Sequence, residues 1–202
     1  LLTARQRGQP EQTYLDEDHP LQREILRLLA QLAVVPEAEV AVATDGCSAP
    51  NFALPLRAMA LAFARLADPS GLPIKEQAAL NLIYSAMTKN PVLISGPGKL
   101  DAVLMQHGEG RLLAKEGAEG VLCLAHRQPQ GKGLGVAIKI WDGDRRGRAR
   151  AATALELIAQ LGWLSRGQQE LIRSAVGPAI TTRRDQPVGE VRPVFQLGGR
   201  DG

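Results

Sequence analysis

The amino-acid pattern predicts an α+β fold, an antiparallel sheet flanked by helices, on three observations. Apolar residues recur at helical spacing through much of residues 20–90, the period then shortens to strand-like runs between residues 111 and 141, and helical spacing returns from about residue 147 to residue 176. Strands that follow one another through short turns pair as an antiparallel meander, and the apolar face of that meander needs the cover that helices before and after it provide. No repeat and no low-complexity linker interrupts the chain, so residues 1–202 read as a single domain with material for a large core.

Taken in order, "LLTARQR" has the look of a helix already under way, and the loop after it ends in "YLDEDHP". Asp18 is placed to cap the next helix and Pro20 suits its first turn, after which Leu21, Ile25, Leu28, Leu29 and Leu32 share one face. "EVAVAT" (39–44) alternates as a short strand and delivers the chain into "DGCSAP" (45–50). Pro55 opens "LPLRAMALAFARLA", apolar almost all round and so expected to be buried, and residues 74–90 form a helix with Ala78, Leu82, Ile83 and Ala86 inward. Strands are expected at 111–117, 119–126 and 132–141. Helices at 147–161 and 168–176 follow, and "VGEVRPVFQ" closes the chain as an extended segment.

Bulk properties exclude several classes. Apolar residues make up 45% and charged residues 22% of the chain, proportions that argue against disorder or a fibrous repeat. The net charge of +3 comes from scattered Lys and Arg apart from Arg145, Arg146, Arg148 and Arg150, a run without aromatic neighbours to stack bases, so no nucleic-acid partner is expected and the run reads as a solvated helix face, with phosphate binding as the lesser reading. No stretch approaches the ~20 apolar residues of a membrane span, and the two cysteines lack a C-x-x-C spacing, which together point to a reduced, cytoplasmic protein with no membrane partner.

Three stretches offer chemistry. In "DGCSAP", Asp45, Gly46, Cys47 and Ser48 put a carboxylate, a thiol and a hydroxyl on one glycine turn, and either a plain turn or the floor of a site fits that spacing. In "SGPGKLD", Ser95 and Gly96 begin a Gly/Pro loop whose amides suit an anion or an amide ligand. In "LLAKEGAEG", Lys115 follows three apolar residues and precedes Gly117, where desolvation would lower an ammonium's pKa, although a hairpin lysine with its amine in water has the same pattern. His19 reads as a helix cap, and His107 and His126 have no evident partner. No serine of the chain stands three residues before a lysine.

The K-x-G pattern on the first of three meandering strands is similar to the K-[ST]-G lysine of serine β-lactamases, penicillin-binding proteins and serine glutaminases, with Glu116 where those have Ser or Thr. More specifically, "YLDEDHPLQREIL", "DGCSAPNFALPLRAMALAFARL", "LISGPGKLDAVLM", "LLAKEGAEGVLCLA", "GLGVAIKIWDG" and "PVGEVRPVF" resemble, in order from about residue 13 to residue 196, successive blocks of the asparaginase II family of thermolabile, Rhizobium-type L-asparaginases.

That resemblance implies hydrolysis of L-asparagine to L-aspartate and ammonia by serine–lysine chemistry on a fold similar to serine β-lactamases and glutaminases. It implies catalytic roles for Lys115 and Asp45 and substrate contacts from Gly46, Ser48, Ser95, Gly96 and Gly117. No cofactor would be required, and Cys47 would be a ligand of a zinc ion completed by a cysteine and a lysine of the family's C-S-G-K-H block. That block and the family's S-x-x-K serine precede the matching region, so the chain is expected to be the C-terminal portion of such an enzyme, with a fold incomplete at the N-terminus and no activity alone. A glutaminase or another amidohydrolase of the same fold, or a non-catalytic remnant, is the alternative, and a homodimer is compatible with any of them.

Overall fold

In the computed structural model, which describes residues 1–177 and 179–198, small antiparallel sheets pack against helices in an α+β arrangement. The chain divides into two compact units at a boundary that falls between Ala62 and Phe63, inside one helix.

The first unit contains α1 (Leu2–Gln6), α2 (Pro20–Ala33), a 3₁₀ turn (Glu37–Glu39) and a hairpin of β1 (Ala41–Thr44) and β2 (Pro50–Ala53). The residue that caps α2 is His19, not Asp18: the Leu21 amide donates to its Nδ1 at 3.1 Å, while its Nε2 lies 2.9 Å from the Pro10 carbonyl. One neutral tautomer, protonated on Nε2, satisfies both contacts, which explains how a histidine does the work of a cap. The inward face of α2 places Leu26 and Ala30 against Val40, with Val42 and Phe52 of the hairpin packed on them. The second strand of this hairpin, absent from the sequence reading, forms because the "DGCSAP" turn reverses the chain.

Helix α3 (Leu56–Ala67) leads into the second unit and is only partly buried, with Leu56 and Leu61 exposed, contrary to the burial expected from its apolar composition. Then come α4 (Ile74–Lys89), α5 (Pro91–Ser95) and α6 (Leu100–His107), followed by the meander β3 (Leu112–Gly117), β4 (Val121–Arg127) and β5 (Gly133–Lys139) in that spatial order. The meander matches the expected strands to within a few residues. Helices α7 (Arg148–Leu161) and α8 (Arg166–Val176) follow, and a strand pair, β6 (Ala179–Thr181) with β7 (Pro187–Glu190), occupies the region where only one extended segment was expected.

The core of this unit is aliphatic. Leu112 and Leu113 of β3, Leu122 and Leu124 of β4, Leu104 of α6, and Leu155 and Ile158 of α7 are each 2% exposed or less. As the central strand, β4 is buried on both faces, which is why "VLCLAH" reads as a continuous apolar run rather than an alternation.

Helix α4 turns a different face inward from the one its aliphatic residues suggest. Leu80 and Tyr84 are buried whereas Ala78, Leu82, Ile83 and Ala86 are exposed. Tyr84 decides this. Its hydroxyl donates to the Arg111 carbonyl at 2.6 Å and lies 3.2 Å from the Ala125 carbonyl, and the Arg127 guanidinium sits 3.9 Å over its ring. A buried aromatic with a satisfied hydroxyl outweighs the smaller aliphatic face. Burial pushes the Tyr84 phenol up to about 12, so it remains a donor.

Candidate active site

In the first unit, Asp45, Gly46, Cys47 and Ser48 form the connection of the β1–β2 hairpin, and all four are exposed. The turn closes on itself. The Asp45 amide donates to the Ala49 carbonyl and the Ser48 amide to the Asp45 carbonyl, each at 2.9 Å, while the Gly46 amide donates to Asp45 Oδ1 at 2.7 Å. Ser48 adopts a left-handed backbone with φ of 67°. The Asp45 carboxylate is thus occupied locally in holding the turn, and the Cys47 thiol projects from it.

Zinc needs three or four protein donors. No group of three or more His, Cys, Asp or Glu that would hold a metal occurs among the described residues. Cys47 and Asp45 supply two donors at most, so by themselves they do not fit a zinc centre, and no chemical step is drawn through one.

The other predicted residues come together in the second unit around a carboxylate that sequence reasoning missed. Asp101, in the first turn of α6, is completely buried. Its Oδ1 accepts from the Ser95 hydroxyl and from the Ala102 amide at 2.9 Å; its Oδ2 accepts from the Glu116 amide at 3.1 Å. Lys115 Nζ stands 3.8 Å from Oδ2 and donates to the Glu116 carbonyl at 2.6 Å. One carboxylate therefore ties the end of α5, the start of α6 and the end of β3 to one another. The lysine is not desolvated as the sequence suggested: its side chain remains 44% exposed.

Local sequence explains the placement. "SGPGK" ends α5 at Ser95, and Gly96 takes φ of 98°, which only glycine adopts without strain, allowing Leu100 to start α6 within reach of β3. Strand alternation sends Lys115 and Glu116 to opposite faces of β3. Glu116 meets Arg150 of α7 at 3.1 Å, and Arg150 also contacts Asp144 at 3.3 Å. Desolvation raises the Glu116 carboxyl above its ordinary range, and Arg150 opposes that shift. Asp144 in turn accepts from the Ala149 and Arg150 amides, capping α7 from five and six residues upstream.

Beside this cluster lies a cavity of about 690 Å³ whose wall includes Ser95, Glu116 and Gly117 together with the arginine run before α7. The glycine turn between β3 and β4 forms part of it. A Cβ on Gly120 would lie 2.7 Å from the Ile140 carbonyl, so that turn depends on glycine to lie against the end of β5. Asp101, Glu116 and Arg150 were legible only as an acid in "GKLD", a departure from K-[ST]-G and one member of an arginine run. Nothing in their spacing announces that they converge.

His107 and His126 take no part in this cluster. His126 is buried and stacks on Trp163 with ring centroids 4.6 Å apart, a packing role. Cys123 pairs with Lys115 across β3 and β4, and burial pushes its thiol up to about 11, which makes it a small apolar side chain rather than a nucleophile.

No curated protein matches the chain. The sequence does match the family model of L-asparaginase II over residues 1–193, nearly its whole length. The chain therefore belongs to the L-asparaginase II family, and that membership implies a hydrolase acting on L-asparagine.

Proposed function

We propose that the protein hydrolyses L-asparagine to L-aspartate and ammonia by serine–lysine chemistry in which Lys115 accepts and returns the proton of a serine hydroxyl. The observation that carries the reading is the convergence of Lys115 and Ser95 on the buried carboxylate of Asp101, in a chain that matches an asparaginase family along its length. Amide hydrolysis needs a hydroxyl activated for attack on the carbon and a proton delivered to the departing nitrogen. A lysine held near a fixed anion at the end of a strand is placed for both transfers, as the ammonium when it donates and as the amine when it accepts.

In this reading Ser95 and Gly117, on the cavity wall, contact the substrate amide, and Gly96 lets the loop approach it. The roles that the family resemblance implies for Asp45, Gly46 and Ser48 fall on the exposed hairpin turn of the first unit, which also carries the Cys47 thiol. The nucleophile is a serine hydroxyl that lacks an S-x-x-K partner among residues 1–202, so Lys115 is the lysine assigned to it. We read the fold as similar to serine β-lactamases, on the support of a lysine on the first of three meander strands followed by a long helix.

The test is ammonia release from L-asparagine and from L-glutamine by the protein and its Lys115→Ala variant. Loss of the proton-transfer group is expected to lower kcat by about 10²–10⁴ with stability lowered by no more than ~1 kcal/mol. A variant that keeps most of its activity overturns the role of Lys115, and faster turnover of glutamine than asparagine overturns the substrate.

A further inference from the structure

The arginine run that the sequence alone presents as a solvated helix face lines an open cavity, with Arg145 and Arg146 remaining exposed. Of the side chains on the wall of the 690 Å³ space, five are cationic and three acidic, in a chain whose total net charge is +3. Most of the molecule's positive excess is thus gathered around one concavity, of a size that accepts a small organic molecule.

The cations divide into two sets. Arg150 is consumed by the fold, bridging Glu116 and Asp144, and it offsets one of the two negative charges that would otherwise repel an anion. Arg145, Arg146, Arg148 and Lys99 have no ion pair among the described residues. The N-terminus of α7 is not the source of the attraction, because Asp144 already takes its Ala149 and Arg150 amides. What is left is three guanidinium forks and an ammonium facing the same space, opposed by a single unpaired carboxylate, that of Glu119.

We propose that this cavity binds a small molecule bearing a dianionic oxygen group, a phosphate monoester or a pair of carboxylates, held by Arg145, Arg146 and Arg148. Planar guanidinium groups match both chemistries with paired N–H donors, and the two-charge excess of the wall matches two negative charges. Ser95 and Gly117 lie on the same wall, so an occupant abuts the residues assigned to asparagine hydrolysis. The inference does not depend on that assignment, since binding is read without turnover.

The experiment is isothermal titration of the protein with inorganic phosphate and with succinate, at constant ionic strength held with chloride. Saturable one-to-one binding of at least one probe is expected, weakened about tenfold or more in Arg146→Gln and Arg148→Gln, as loss of a charge-assisted bond requires. It should be unchanged in Arg184→Gln, which removes the same charge from a residue outside the cavity wall, and tightened in Glu119→Gln, which removes the opposing carboxylate. Binding of phosphate alone assigns the phosphate chemistry, and binding of succinate alone the paired carboxylates. No saturable binding of either probe, or equal weakening by Arg184→Gln, overturns the site. Circular dichroism of each variant shows that a loss is not unfolding, and the tightening by Glu119→Gln cannot arise from unfolding at all.

Discussion

Replacing Asp101 with alanine tests whether its carboxylate is the joint between α5, α6 and β3. The change strands three donors: the Ser95 hydroxyl, the Ala102 amide and the Glu116 amide. A buried donor left without a partner costs ~1–3 kcal/mol. The hydroxyl of Ser95 is free to turn to another acceptor, so the two amides dominate, and relief of the carboxylate's own desolvation offsets part of the loss; the net is about 3 kcal/mol. For a chain of this size ~1 kcal/mol moves Tm by ~2–4 °C, which places the variant roughly 6–12 °C below wild type. Asp101→Asn keeps an oxygen for Ser95 and Ala102 but turns its amide nitrogen toward the Glu116 amide, so it should lose less. Ser95→Ala should lose least, and Lys115→Ala, at an exposed ion pair, no more than ~1 kcal/mol. Thermal and urea unfolding supply the ranking. An Asp101→Ala protein within ~0.5 kcal/mol of wild type, or one more stable than Asp101→Asn, would refute the reasoning.

Three further outcomes are expected. Desolvation, with Arg111 adding repulsion, holds the His126 imidazole below its ordinary value of 6.5, so its stabilising neutral form is fully present above that pH and its contribution is lost as pH falls through the lowered value. Urea unfolding should therefore show wild type losing more stability than His126→Phe between pH 7.5 and the acid side of 6.5, and equal losses would count against it. Tyr84→Phe removes the donor to the Arg111 carbonyl while keeping the ring under Arg127, and should cost ~1–2 kcal/mol; a neutral result in thermal unfolding would show that the hydroxyl does not hold α4 in place. Iodoacetamide should alkylate exposed Cys47 well before buried Cys123, whose thiol is pushed up to about 11, and mass spectrometry showing the reverse order would contradict the placement of β4.

Much of the fold is legible in the residues because local signals and packing agree. The three strands of the meander and the helices read at 147–161 and 168–176 each follow from periodicity and turn chemistry that act within a few residues. The errors fall where a long-range partner outvotes a local preference. Helix α4 shows this most plainly: its aliphatic face is a valid amphipathic stripe, yet Tyr84 finds two carbonyls and a guanidinium 27 to 43 residues away and turns the helix toward them. The cap of α2 is a smaller case: of Asp18 and His19, both offered as caps, His19 takes the role while its Nε2 meets the Pro10 carbonyl.

The site divides along the same line. Lys115, Ser95, Gly96 and Gly117 are readable from sequence because glycine-rich turns and a lysine at a strand end carry their meaning locally. Composition, strand periodicity and the motif blocks were sufficient for the α+β class and for the family. Asp101 as a shared acceptor, Arg150 as a bridge between two acids, and an arginine run that lines an open cavity while Arg145 and Arg146 stay exposed all depend on chain segments that meet only on folding. A residue's type and its neighbours set what it is able to do, but which charges and donors it faces is a property of distance in space, and that distance exists only once helices and sheet have packed.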